Sequence, residues 1–213
     1  MTLQNTIKAL DLFCGPGGAS KGLSELDFEC VGVDIKDQDY PFEFIKCDVF
    51  DLPMEFFKDF DLIWASPPCQ GYIDCNINKP DYPRLIEPVR ELLKNTKKSY
   101  IIENVQLAPI RHDLMLCGEM FNLKVIRHRY FEIEGFHVPQ IKHIKHKGTV
   151  AQGDYIACYN GSPGNPRTIL KYKTKPAKPQ QMAEALNITW TTKNITECIP
   201  PNYSKYIGEH YKI

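Results

Sequence analysis

The chain has 213 residues, 43% of them hydrophobic and 24% charged, with 26 basic and 26 acidic side chains that cancel to zero net charge. That length suits one well-packed domain with a small appendage. No apolar run approaches the ~20 residues of a membrane span and Met1 to Lys8 is polar, so neither a transmembrane segment nor a secretory leader is expected.

Lys8 to Phe13 is an apolar run ending in the turn Cys14-Gly15-Pro16-Gly17-Gly18, and Ala19 to Leu26 reads as a helix. Further strands are predicted at Glu29 to Asp34, Phe44 to Cys47 and Asp61 to Ala65, the last running into Ser66-Pro67-Pro68-Cys69-Gln70. Pro83 to Asn95 carries Leu85, Ile86, Val89, Leu92 and Leu93 at helical spacing, and Tyr100 to Ile102 leads as a strand into Glu103-Asn104-Val105. His112 to Phe121 reads as a helix, and Leu123 to Ile126 with Tyr130 to Ile133 as a closing pair of strands. Beyond Phe131 prolines and glycines punctuate the chain, with short strands expected at Thr149 to Ala151 and Tyr155 to Tyr159. Gln180 to Asn187, Thr192 to Ile199 and a stretch from Tyr203 read as helices, with Pro200-Pro201 as a break. Alternating strands and helices predict an α/β fold with a doubly wound, mostly parallel sheet. The expected organisation is a core over 1–134, a short basic segment over 135–180 and C-terminal helices over 181–213 that return to the core.

Ligands on such sheets bind at the carboxyl ends of the strands, and every polar motif falls at one of those ends. Cys69, stiffened by Pro67 and Pro68, is a candidate nucleophile once its environment favours the thiolate; alone it would read as a small buried hydrophobe. Glu103 is either a solvated strand cap or, facing Cys69, a general acid able to protonate a ring nitrogen. Arg127 and Arg129 alternate faces if extended, so one enters the pocket and the other makes a structural salt bridge. The glycine turn, with Asp34 placed for ribose hydroxyls and Asp48 for an exocyclic amine, describes an adenosine site. No Gly-Lys-Ser/Thr loop is present, which argues against a triphosphate.

From Phe136 to Gln180 eight basic side chains (Lys142, Lys145, Lys147, Arg167, Lys171, Lys173, Lys175 and Lys178) face one acid, Asp154. They read equally as a nucleic-acid grip or a solvated loop. The eight cysteines are scattered, so free thiols in a reducing, cytoplasmic compartment are expected. His137, His143, His146 and Cys158 fit no standard zinc spacing, and no metal is expected.

The order Phe13-x-Gly15-Pro16-Gly17-Gly18, Asp34, Asp48, Pro68-Cys69-Gln70, Glu103-Asn104-Val105 and Arg127-x-Arg129 resembles the cytosine-5 DNA methyltransferase family, and most its compact, phage-encoded type. The likeness covers residues 8 to 134 and resumes weakly at 181–186 and 199–208. It implies a Rossmann-like methyltransferase core acting as a monomer on double-stranded DNA, with S-adenosylmethionine as methyl donor. Cys69 would attack C6 of a flipped cytosine, Glu103 would hold and protonate N3, and Arg129, with Arg127 beside it, would stabilise the base and the intermediate. Phe13, Gly15, Gly17, Gly18, Asp34, Asp48 and Pro67 would bind the donor. Gln70, Arg167, Lys171, Lys173 and Lys175 would contact the nucleic acid. Ile73 and Glu209 depart from the family pattern, and the roughly fifty residues between Phe131 and Gln180 are few for target recognition. Specificity is then short, relaxed or supplied by a partner. Competing readings are the same chemistry on RNA cytosine, another C5 modification, or a catalytically silent DNA-binding protein.

Overall fold

The computed structural model describes residues 6–72, 82–159, 175–190 and 194–211. Five parallel strands, β1 (Lys8–Leu12), β2 (Glu29–Asp34), β3 (Glu43–Lys46), β4 (Leu62–Ala65) and β5 (Ser99–Asn104), are joined by β6 (Leu114–Leu116) and β7 (Arg129–Glu134). The spatial order is β3-β2-β1-β4-β5-β7-β6, with β7 antiparallel to both neighbours. Among the described residues four helices accompany them: α1 (Gly18–Ser24), α2 (Ile86–Thr96), α3 (Pro179–Leu186) and α4 (Pro201–Gly208).

Both faces of the sheet are covered, which explains why the strands read as continuous apolar runs. Alternate residues serve different layers. Ala9, Leu62, Trp64, Ile101, Phe131 and Ile133 join a cluster with Leu23 of α1 and Tyr203 and Ile207 of α4. Leu10, Leu12, Ile63, Ala65, Tyr100 and Ile102 join the opposite cluster, where α2 supplies Ile86, Val89 and Leu93 at helical spacing. α4 lies close against α1 because Gly22 has no side chain: a Cβ there would overlap the Pro201 carbonyl and the Ser204 hydroxyl. A third cluster gathers Val125 with Met182, Ala183, Leu186 and Ile195.

The doubly wound sheet agrees with the sequence reading, and several elements differ. Leu114–Leu116 is strand β6 where a helix is predicted, and only Gly118–Phe121 forms a single 3-10 turn. Leu123 to Ile126 is not a strand: Val125 turns into the α3 cluster, and β6 takes its place beside β7. No strand forms at 149–151 or 155–159. Of the helix expected over Thr192 to Ile199, a 3-10 turn at Ile195–Glu197 is described, and 191–193 lie outside the described residues. Pro201 starts α4 rather than breaking before it, since proline's missing N–H costs nothing in a first helical turn. The seven described cysteines are all free. Among the described residues no helix is long and apolar enough to cross a membrane.

Candidate active site

The carboxyl ends of β1, β2, β4 and β5 open on one edge, and the polar motifs collect there. After β1 the backbone takes left-handed conformations at Phe13 (φ 56°), Gly15 (49°) and Gly17 (87°), with Gly17 at the N-cap of α1. A Cβ on Gly15 would meet nothing within 4 Å, so the turn faces open space. Gly18 instead lies against Ile199 and Cys198. Asp34, ending β2, accepts from the Gly15 N–H at 3.1 Å and the Lys36 N–H at 2.9 Å. Asp48 accepts from the Phe50 N–H at 3.0 Å. Ile35 and Phe50, close in sequence to these two acids, are exposed apolar side chains.

Two further residues build this side, and sequence reasoning missed both. Trp190 donates its indole N–H to the Pro16 carbonyl at 3.1 Å, capping the turn from the far end of the chain. Asp11 lies buried beneath the turn, accepting from the Ser20 hydroxyl at 2.6 Å, and that hydroxyl also meets Tyr40. Burial pushes the Asp11 carboxyl up to about 7, with the nearby charges of Asp34 and Glu103 adding to it. An acid inside an otherwise apolar strand was the available signal.

The second half of the site starts at the end of β4. The Ser66 N–H donates to the Leu12 carbonyl at 3.1 Å, extending the β1–β4 ladder by one bond. Pro67 is buried, and its carbonyl accepts from Asn104 Nδ2 at 2.8 Å. Asn104, 2% exposed, also accepts the Val105 N–H at 3.0 Å through Oδ1. One amide thereby clamps the Pro-Pro-Cys loop to the end of β5. Cys69 and Gln70 follow, both half-buried, where a 3-10 turn Gln70–Tyr72 begins.

Glu103 and Arg129 share the sheet face of Ile101 and Phe131. Glu103 stands opposite Phe131, so Arg129, two residues back along β7, is its diagonal neighbour. Arg129 Nε lies 2.7 Å from Glu103 Oε1, with both side chains largely buried, and its Nη1 donates to the His128 carbonyl at 2.9 Å. Burial raises the Cys69 thiol; Arg129 pulls it back, Glu103 adds to the rise, and Arg127 opposes it weakly. The free site therefore holds a protonated thiol beside an ion pair.

Arg127 goes elsewhere. Its guanidinium donates to the Thr196 carbonyl at 2.7 Å and the Cys158 carbonyl at 3.2 Å, and the residue is 7% exposed. Burial, with Arg129 alongside, brings it down to about 10, so it stays charged at neutral pH. Of the two arginines one enters the pocket, as alternation predicts. The other donates to the Thr196 and Cys158 carbonyls instead of forming the expected salt bridge. Lys175 is exposed, while Arg167, Lys171, Lys173 and the departing Ile73 lie outside the described residues.

A family model for C-5 cytosine-specific DNA methylases matches residues 7–116, more than half of the 213-residue chain. The chain belongs to this family. No curated protein sequence matches this methylase chain. Among solved structures it is similar to the Entamoeba histolytica methyltransferase EhMeth (TM-score 0.64, 12% identity, covering 97% of this chain and 98% of that one). It is also similar to a mutant of Spodoptera frugiperda DNMT2 (0.61, 13%, 96% and 99%) and to S. pombe Dnmt2 methyltransferase (0.60, 12%, 95% and 97%). At such identities these likenesses speak for the Rossmann-like methyltransferase fold.

The cofactor of this methylase is S-adenosylmethionine. The first half of the site fits it: an open glycine turn at a helix start suits a carboxylate, Asp34 suits vicinal hydroxyls, and Ile35 and Phe50 suit the faces of a purine.

Proposed function

We propose that this methylase modifies C5 of a cytosine flipped out of double-stranded DNA, through a covalent bond between Cys69 Sγ and C6. The observation that carries the reading is the Arg129–Glu103 pair, 2.7 Å apart and electrostatically coupled to Cys69, on the sheet edge that also holds the open glycine turn.

Cytosine C5 is a poor nucleophile, and the ring must first be activated. Cys69 loses its proton and its sulfur adds to C6, breaking the C5–C6 double bond and pushing electrons toward N3. Glu103, held at a fixed angle by Arg129, takes up the proton that Cys69 releases and delivers it to N3, which leaves C5 as an enamine carbon. S-adenosylmethionine, bound at the turn, supplies an electrophilic methyl group. N3 then gives its proton back to Glu103, and loss of the C5 proton to water expels the Cys69 thiolate and restores the aromatic ring. The target base must leave the stack to reach Cys69. Gln70, next to the nucleophile, and the basic residues Arg167, Lys171, Lys173 and Lys175 would hold the backbone of the distorted nucleic acid.

Nucleoside mass spectrometry on DNA and RNA tests this, using a bacterial host without its own cytosine methylation that expresses the chain or its Cys69→Ala variant. 5-Methylcytosine in DNA with the wild type alone supports the reading. The shortness of the 135–180 segment favours RNA cytosine as the second acceptor, since folded RNA presents unstacked bases without a large recognition domain. Methylated RNA with unmodified DNA would overturn the first choice in its favour.

A further inference from the structure

Away from the active-site pocket, four side chains from three parts of the chain converge on one point. Cys117 follows β6, His128 precedes β7, and His143 and His146 come from the basic segment. Their Sγ and ring nitrogen atoms all lie within 4.8 Å of one another. His128 Nε2 is 3.2 Å from His143 Nε2, which is 3.1 Å from His146 Nε2, which is 3.4 Å from Cys117 Sγ. We propose that these four residues form a closed, tetrahedral zinc site.

Hydrogen bonding does not account for the cluster. Each Nε2 carries one proton or one lone pair in the ring plane, so His143 Nε2 cannot make a well-aligned bond to two imidazole nitrogens at once. A single cation in the middle meets all four. With bonds of about 2.0–2.1 Å to nitrogen and about 2.3 Å to sulfur, a zinc tetrahedron has edges of roughly 3.3 Å between nitrogens and roughly 3.6 Å from sulfur to nitrogen. The three distances given lie within about 0.2 Å of those values, and the remaining pairs of ligand atoms lie within 4.8 Å. One thiolate with three imidazoles is a zinc donor set, and four protein ligands leave no position open for water, the mark of a structural site.

The surroundings fit the charge. Glu119 Oε2 is buried without a hydrogen-bond partner, 3.8 Å from His146 Nε2, while Oε1 accepts from the Tyr155 hydroxyl at 2.8 Å. Binding would send the thiol proton to solvent and leave one net positive charge facing Glu119. The sequence reading set a metal aside because His137, His143, His146 and Cys158 lack a standard spacing. The fold keeps two of those four and substitutes Cys117 and His128. The site would staple the segment bearing Lys142, Lys145 and Lys147 to the start of β7, where Arg129 stands, in a stretch where the 135–159 loops form no strand or helix of their own. A metal commonly replaces a core of that size.

Elemental analysis of the full chain, expressed in zinc-replete medium and purified without a histidine tag, tests this directly. About one zinc per chain is expected. After exchange, cobalt(II) should give the intense visible bands of tetrahedral coordination and a sulfur-to-metal charge-transfer band. Cys117→Ser should remove the charge-transfer band, and His143→Ala should lower zinc content several-fold, while Cys158→Ser and His137→Ala retain it. Wild-type protein without zinc that also fails to bind cobalt would overturn the site, as would metal retained undiminished in His143→Ala. The wild-type measurements stand even if a variant fails to fold, and none of them depends on methyl transfer.

Discussion

Asn104 gives the sharpest way to separate positioning from binding in this site. Asn104→Asp keeps the shape and keeps an acceptor for the Val105 N–H, but replaces the donor facing the Pro67 carbonyl with a second acceptor. The lost bond is 2.8 Å long and buried, and leaving such an acceptor unpaired costs about 1–3 kcal/mol. Part of that cost should appear as a melting temperature lowered by roughly 4–8 °C for about 2 kcal/mol in a chain of this size. The rest, up to about 1 kcal/mol, should appear as a misplaced Cys69, and at about 1.4 kcal/mol per decade the single-turnover rate should fall roughly 5-fold. Affinity for S-adenosylmethionine, measured by calorimetry, should stay within about 2-fold, because the amide touches neither the glycine turn nor Asp34. Acidification should partly restore the variant relative to wild type, since the introduced carboxyl regains a donor once it is protonated. A variant rate within about 2-fold of wild type, or a parallel collapse of donor affinity, would refute the clamp.

Other perturbations test other parts of the molecule. Because burial raises the Cys69 thiol, its alkylation in the free protein, followed by peptide mass spectrometry, should be slow at pH 7 and climb through pH 9; a rate already level at neutral pH would contradict this. Asp11 sits at about 7 folded against about 3.9 unfolded. Between those values the native state binds more protons, so stability should fall as pH rises, by roughly 4 kcal/mol in all. Asp11→Asn should flatten the pH dependence of melting from pH 5 to 8, and a slope equal to wild type would remove Asp11 as its source. Glu132, fully buried, takes a two-pronged bond from Arg90 at 2.8 Å and the Arg111 N–H at 3.1 Å. Arg90→Met alone should therefore cost about 3–5 kcal/mol in urea unfolding, and Arg90→Met with Glu132→Leu much less; equal losses would show that the pair itself stabilises. Charge reversal at Lys171, Lys173 and Lys175 should weaken nucleic-acid binding and flatten its salt dependence, whereas an unchanged slope would make that stretch a solvated loop.

The strands through the middle of the sheet were legible because burial on both faces leaves no polar alternation to confuse with a helix: Leu62-Ile63-Trp64-Ala65 could hardly be anything else. The edge was not. Leu114-Met115-Leu116 is too short to show a period, and Leu123 to Ile126 has strand composition that the α3 cluster overrides by claiming Val125. At the site, motifs continuous in sequence were readable, including Pro68-Cys69-Gln70 and Glu103-Asn104-Val105. Contacts made across the fold were not: Trp190 on Pro16 spans 174 positions, and the four proposed zinc ligands are gathered by β6, β7 and a loop. Arg127 and Arg129 show the middle case, where alternation separated their faces but only the fold assigned the partners.

The late elements also set a timetable. The glycine turn leaves the ribosome early, yet Trp190 caps it, Ile199 backs Gly18, and Tyr203 donates to the Arg127 carbonyl at 2.7 Å. A nascent chain therefore carries this turn without the roof over it until a residue 174 positions further on has been made. Contacts of such long sequence separation slow folding, and they tie the donor side of the site to Trp190, Ile199 and Tyr203.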